Sequence, residues 1–142
     1  MRIVLDTHVF VSGVFFTGPP YQILKAWRDG KVKLILSPEI LEECQRAGKV
    51  LAHEFPSVDL QSILDFVTIK AEIIPTESLS ERVSEDPDDD KFLACAISSK
   101  SKLIISGDKH LLRVSGFKGI KVIKPRLFID EYLSQFLPEV SG

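Results

Sequence analysis

The chain has 142 residues, a length typical of one domain, and we expect residues 1–142 to form a single folded unit. Its hydrophobic fraction of 44% and charged fraction of 27% exclude a wholly disordered chain, and no apolar run is long enough to span a membrane. The net charge of −2 excludes a uniformly basic nucleic-acid-binding domain. Two cysteines without metal-ligand spacing, and the lack of a signal-peptide core, favour a cytoplasmic location.

Short aliphatic runs alternate with stretches of helical spacing along the chain. In chain order the pattern predicts a strand at 2–5, an apolar run at 9–16, a helix at 21–29, a strand at 32–36, a helix at 37–53, a helix beginning at 56–57, a strand at 71–74, a polar loop at 76–87, a helix from 86–90 to about 99, strands at 103–105 and 121–123, and a final helix at 125–136. This alternation predicts an α/β fold with a parallel sheet of about five strands, covered by helices on both faces. In such sheets, ligands bind at the carboxyl ends of the strands, at the topological switch point.

Charge is divided unevenly along the chain. Residues 1–38 carry five Lys or Arg against two Asp or Glu, residues 39–90 carry four against fourteen, and residues 91–142 carry nine against four. The middle of the chain therefore concentrates carboxylates between two basic flanks that could hold a phosphate backbone. The flank residues that could do so include Lys25, Arg28, Lys31, Lys33, Lys109, Arg113, Lys118, Lys121, Lys124 and Arg126.

Two carboxylates stand at the ends of predicted strands. Asp6 follows the first strand directly, and Asp108 comes shortly after the fourth. A single Asp in such a position is typical of a turn or a helix cap. Two of them at one edge of one sheet indicate a shared site.

Glu43 occupies an unusual position on the predicted helix at 37–53. Its angular position places it at the side of the apolar stripe that contains Ile40 and Cys44, whereas Glu42 lies on the solvent face. A carboxylate beside a buried stripe needs a partner. That partner is either a metal ion or a nearby Lys or Arg.

The run Asp86-Pro87-Asp88-Asp89-Asp90 places four carboxylates in five residues. Helix capping uses one or two of them, and the others repel one another unless solvent or cations screen them. A solvated acidic loop is one interpretation, but helical spacing turns both Asp89 and Asp90 toward the packed side. Carboxylates gathered at one edge suit Mg²⁺, and two such ions can activate a water for phosphodiester hydrolysis.

Four segments in order resemble the PIN domain family, the metal-dependent nucleases that include VapC-type toxins. The segment IVLDTHVFVSG resembles the opening strand and Asp-Thr-Asn motif, and LSPEILEE resembles the helix that supplies the family's Glu. The segments DPDDDKFLACA and LIISGDKHLL resemble the third acidic motif and the Thr/Ser-x-Asp motif. The last two look most like the subgroup of toxin components of toxin–antitoxin systems.

The resemblance implies a three-layer α/β/α fold and hydrolysis of RNA phosphodiesters with one or two Mg²⁺ or Mn²⁺ ions. It implies an RNA substrate, an antitoxin protein as partner, and a homodimer or higher homo-oligomer. Carried over residue by residue, it implies the metal ligands Asp6, Glu43, Asp89 or Asp90, and Asp108, with Asp86 as a weaker candidate for the third position. Ser106 would position a carboxylate, Thr7 belongs to the opening motif, and His8 departs from the Asn that is usual there.

The acidic residues also allow three other interpretations. Covalent catalysis through Asp6, as in phosphatases of the haloacid dehalogenase type, needs a second Asp where this chain has His8. A response-regulator receiver needs paired acids after the first strand, and only one is present. The non-enzymatic alternative is a PIN-like module that binds RNA or a protein without cutting, and such a module should bind RNA equally well in chelator.

Overall fold

A five-stranded sheet forms the centre of the protein. The structure is a computed structural model, and it describes residues 1–77, 79, 81–84 and 86–134. The strands are Arg2–Leu5 (β1), Lys33–Leu36 (β2), Glu72–Ile73 (β3), Leu103–Ile105 (β4) and Lys121–Ile123 (β5). The α-helices of the described residues are Thr7–Phe15 (α1), Pro19–Arg28 (α2), Pro38–Glu54 (α3), Leu60–Lys70 (α4), Asp90–Ser99 (α5), Lys109–Arg113 (α6) and Pro125–Phe128 (α7).

The strand order is β3-β2-β1-β4-β5, and every neighbouring pair is parallel. The chain moves outward from β1 through β2 to β3 and then returns to place β4 on the other side of β1. Because such crossovers are right-handed, the helices that follow β1 and β2 cover one face and those that follow β3 and β4 cover the other. This is the three-layer α/β/α arrangement, and the predicted fold class is confirmed.

The sheet is buried on both faces, which explains the continuous aliphatic runs of its strands. Val4 at the middle of β1 lies beside Ile35 of β2 and Ile104 of β4, and all three side chains are fully buried. Both cysteines are free and buried, and burial raises the pKa of each thiol to about 12. Among the helices of the described ranges, none is both long and apolar enough to cross a bilayer.

The carboxyl ends of β1 and β4 lie side by side at the switch point of the sheet. The pairing of these strands continues past β1, where the Asp6 amide donates to the Ile105 carbonyl at 3.1 Å. Each strand is followed closely by a helix: one residue separates β1 from α1, and three residues separate β4 from α6. Asp6 and Asp108 are the residues that cap these two helices.

The last predicted helix differs from the structure. It was expected to be continuous over 125–136, but α7 ends at Phe128 and a π-helical turn follows over Ile129–Leu133. Phe128 and Leu133 are five residues apart, and the wider π-helical turn places both on the same side of the helix, where both are buried. The end of the predicted helix, at residues 135 and 136, lies outside the described residues.

Candidate metal centre

Asp6 is a buried carboxylate at the carboxyl end of β1, with only 5% of its surface exposed. As the cap of α1, its Oδ1 accepts the Val9 amide at 2.7 Å, and its Oδ2 accepts the hydroxyl proton of Ser106. Burial raises the pKa of Asp6, because the loss of hydration outweighs the lowering by these two hydrogen bonds. The side chain is therefore fixed in place at a cost in electrostatic free energy.

Ser106 connects the side chain of Asp6 to the backbone of Asp108 at the switch point. Its fully buried hydroxyl donates to Asp6, and the same oxygen accepts the Asp108 amide at 3.0 Å. Asp108 in turn caps α6, where its Oδ1 accepts the His110 amide at 2.7 Å. The sequence did not predict α6, although a capping Asp ahead of the buried Leu111 was a local signal for it.

Asp89 completes a cluster of three carboxylates. It ends a 3-10 turn over Pro87–Asp89 and is 6% exposed. One oxygen from each of Asp86, Asp89 and Asp108 lies within 4.8 Å of the other two. Burial, and then the charges of Asp108 and Asp86, raise the pKa of Asp89 to about 6.

Asp90 is turned away from this cluster, although it adjoins Asp89 in sequence. Its two carboxylate oxygens accept the backbone amides of Val83 and Ser84 at 2.9 and 2.8 Å. The side chain lines a separate cavity with Glu39 and Lys91. Asp90 thus holds the loop that precedes the 3-10 turn.

Glu43 lies near the cluster and is bound by protein groups on both sides. Its Oε1 accepts the Thr7 hydroxyl proton, and its Oε2 forms an ion pair with the ammonium group of Lys91 on α5. Sequence spacing could not identify Lys91, because it follows Glu43 by 48 residues. The need for a partner beside the buried stripe was the available signal, and a lysine meets it in this structure.

These residues line one cleft of about 570 Å³ at the carboxyl edge of the sheet. Its polar lining consists of Asp6, Thr7, His8, Glu43, Asp86, Asp88, Asp89, Lys91 and Asp108. His8 is exposed at the cleft, whereas Ser106 is buried behind Asp6. Of the site residues predicted from the sequence, all except Asp90 and Ser106 line this cleft, and Ser106 contacts it through Asp6.

The donors of the cleft fit a hard divalent cation. They are carboxylate oxygens, which Mg²⁺ and Mn²⁺ prefer, and their separations allow three of them to face one ion. Like-charged carboxylates at these distances repel, as the raised pKa of Asp89 shows. A bound cation would remove that repulsion.

The parallel sheet with carboxylates at its switch point defines a class of α/β proteins that can hold a divalent metal at the sheet edge. Within that class, a family model described as a PIN domain matches residues 2–110, from β1 into α6 and across the whole acidic cluster. The chain therefore belongs to the PIN domain family, whose members are generally metal-dependent nucleases. A comparison with curated proteins finds no match.

Proposed function

We propose that this protein is a metal-dependent endoribonuclease. The observation that carries the proposal is the cluster of Asp86, Asp89 and Asp108, with oxygens within 4.8 Å of one another, in a PIN domain cleft that also contains the buried Asp6. When bound, one or two Mg²⁺ or Mn²⁺ ions would activate a water and stabilise the leaving oxygen of a phosphodiester. The chain's own residues would hold and orient the ions and the RNA.

We assign the ligand positions to Asp6, Asp89 and Asp108, with Asp86 beside them. Asp89 is favoured over Asp90 as the third ligand of the family pattern because both oxygens of Asp90 already accept backbone amides. Ser106 would position Asp6 and Asp108 together, since its hydroxyl contacts both residues.

Glu43 and its two partners would form the second side of the site. Thr7 and Lys91 fix its carboxylate, so it would join the metal ligands by sharing an oxygen with one of these partners or by releasing one of them. Lys91 also places a positive charge in a cleft otherwise rich in carboxylates, where a scissile phosphate would need one. His8 is exposed at the cleft, where it would contact the RNA.

We further propose that the protein is the toxin of a toxin–antitoxin pair and that it acts as a homodimer or higher homo-oligomer in the cytoplasm. The similarity of DPDDDKFL and SGDKHLL to the toxin subgroup supports it. An antitoxin peptide would then control access to the cleft.

Cleavage of a labelled single-stranded RNA pool with Mg²⁺, Mn²⁺ or EDTA tests the enzyme. Asp6→Asn and Asp89→Asn should each abolish metal-dependent cutting. Asp65→Asn is the matched control, because this exposed carboxylate lies on α4 and accepts a hydrogen bond from Gln61 of the same helix. Cutting that persists in both site variants would refute the assignment.

A non-catalytic PIN-like binding module is the second candidate. The Lys91–Glu43 ion pair favours it, because a lysine already neutralises one of the expected metal ligands. Such a module would bind the RNA pool with equal affinity in Mg²⁺ and in EDTA and would cut it under neither condition.

A further inference from the structure

The edge of the sheet opposite the candidate metal centre is basic. We call it the amino edge, and it consists of the amino ends of the strands and the turns that lead into them. Four neighbouring strands begin there at a cationic residue or directly after one, in the spatial order Lys33, Arg2, Lys102 and Lys121. Arg2 is the register partner of Lys33, and the Lys121 amide donates to the Lys102 carbonyl at 2.8 Å. Because neighbouring strands lie about 4.8 Å apart, the row extends over about 14 Å.

Two further lysines occupy backbone positions that suit glycine. Lys100 and Lys118, in the turns before β4 and β5, have φ angles of 59° and 49°. They are the two non-glycine residues with positive φ in the described part of the chain. Lysine is disfavoured in this left-handed region, where glycine is unstrained. The chain therefore places positive charge at two turns where backbone geometry alone would favour another residue.

The acidic residues at this edge are already paired. The Glu72 carboxylate forms an ion pair with the Arg2 guanidinium group at 3.0 Å, and the Asp29 carboxylate lies 3.9 Å from the guanidinium group of Arg28. In contrast, Lys33, Lys102 and Lys121 are exposed, and none of them forms an ion pair with another described residue. The charges of these three lysines are thus left without an acidic partner in the described part of the chain.

We propose that the amino edge binds the phosphate backbone of single-stranded RNA and extends the substrate-binding surface beyond the cleft. This inference rests on the proposed function, because that function supplies RNA as the ligand. A row of exposed lysines can neutralise phosphates without reading sequence. A protein partner is disfavoured, because lysine is depleted in the cores of protein interfaces. The four strands of the basic row contain only three or four residues each, about 10–13 Å, so one flexible RNA strand can contact both the edge and the cleft.

Equilibrium binding of a fluorescein-labelled 20-nucleotide single-stranded RNA pool tests the surface. It is measured by anisotropy in EDTA over a range of salt concentrations. The triple variant Lys33→Gln, Lys102→Gln and Lys121→Gln should bind on the order of 100-fold more weakly at 0.1 M salt, with a log–log salt slope smaller by about 2. The matched control replaces Arg46, Lys49 and Arg82, which are exposed away from the amino edge, by Gln and should lose less than about 3-fold.

A second variant tests the surface with substitutions that should not destabilise the fold. Lys100→Gly with Lys118→Gly removes two charges and places glycine where the backbone favours it, so thermal stability should not fall. Its RNA affinity should still drop by roughly 20-fold at 0.1 M salt. Equal losses in the edge and control triple variants, or no RNA binding by the unmodified chain, would overturn the inference.

The binding assay also separates this inference from the nuclease assignment, because no cleavage occurs in EDTA. If Asp89→Asn abolishes cleavage while the edge triple variant keeps full affinity, the metal centre stands and the amino-edge surface is refuted. If the triple variant loses affinity although the unmodified chain cuts nothing, the surface stands and the nuclease assignment is refuted.

Discussion

Asp89→Asn should stabilise the metal-free protein at neutral pH. The pKa of Asp89 is raised from 3.8 to about 6 by burial and by the charges of Asp108 and Asp86, so the folded state holds this carboxylate in an unfavourable charged form at pH 7. A difference of this size corresponds to at most about 3 kcal/mol of lost stability, and solvent screening lowers this value. Asparagine removes the charge at nearly the same volume, and its amide group can donate to the neighbouring carboxylates.

The sign of the pH dependence follows from the direction of this shift. The folded state binds the proton of Asp89 more tightly than the unfolded state does. The stability gained from this proton is therefore fully present below pH 3.8 and is lost as the pH rises through about 6. The advantage of Asp89→Asn over the unmodified chain should therefore fall to about half of its pH 7 value at pH 5.

Urea unfolding in EDTA at pH 7 and pH 5 measures both free energies. Asp88→Asn is the control, since Asp88 is the exposed neighbour and loses the same charge. Adding Mg²⁺ at 100 times its Kd should stabilise the unmodified chain by about 2.7 kcal/mol and Asp89→Asn by much less. If Asp89→Asn is less stable than the unmodified chain at pH 7 in EDTA, the charged form of Asp89 does not destabilise the fold. The same conclusion follows if the gain in its free energy of unfolding does not shrink at pH 5.

Three further substitutions test the surrounding structure. Ser106→Ala should lower the free energy of unfolding by about 1–3 kcal/mol, because Asp6 and the Asp108 amide both lose a buried partner, and urea unfolding would show it. Asp90→Asn should cost about 1 kcal/mol through the amides of Val83 and Ser84 yet leave the stabilisation by Mg²⁺ intact; loss of that stabilisation would return Asp90 to the ligand set. Gly13→Ala should lower Tm, with a loss of about 1–3 kcal/mol, since a Cβ there would approach the Pro20 carbonyl oxygen to 2.8 Å. An unchanged Tm would show that α1 and α2 can move apart.

The strands were the most predictable part of the fold. Three of them, β1, β4 and β5, have the predicted bounds, because each is an aliphatic run between polar or turn-forming residues. Their order also placed Asp6 and Asp108 together, since a parallel α/β sheet brings the carboxyl ends of its strands to one edge. Local sequence therefore sufficed for half of the candidate metal centre.

The rest of the site depends on contacts that no local pattern contains. On an ideal helix Asp89 and Asp90 would both face inward, and the 3-10 turn at 87–89 directs them into different cavities. The pairing of Glu43 with Lys91 joins α3 to α5 and required the tertiary structure. The π-helical turn after α7 likewise has no marker in the sequence.

The uneven charge of the sequence acquires a physical meaning in the fold. The acidic middle of the chain supplies most of the carboxylates at the carboxyl edge of the sheet, while lysines from both flanks reach the amino edge. The carboxylates of Asp6 and Asp108 are tolerated at their edge because each caps a helix, whose amino end carries partial positive charge. Each of them also keeps unused acceptor capacity, since a carboxylate offers about four lone-pair sites and their caps occupy only part of that number. The same hydrogen bonds that stabilise the two helices thus hold these oxygens rigidly in position for a cation.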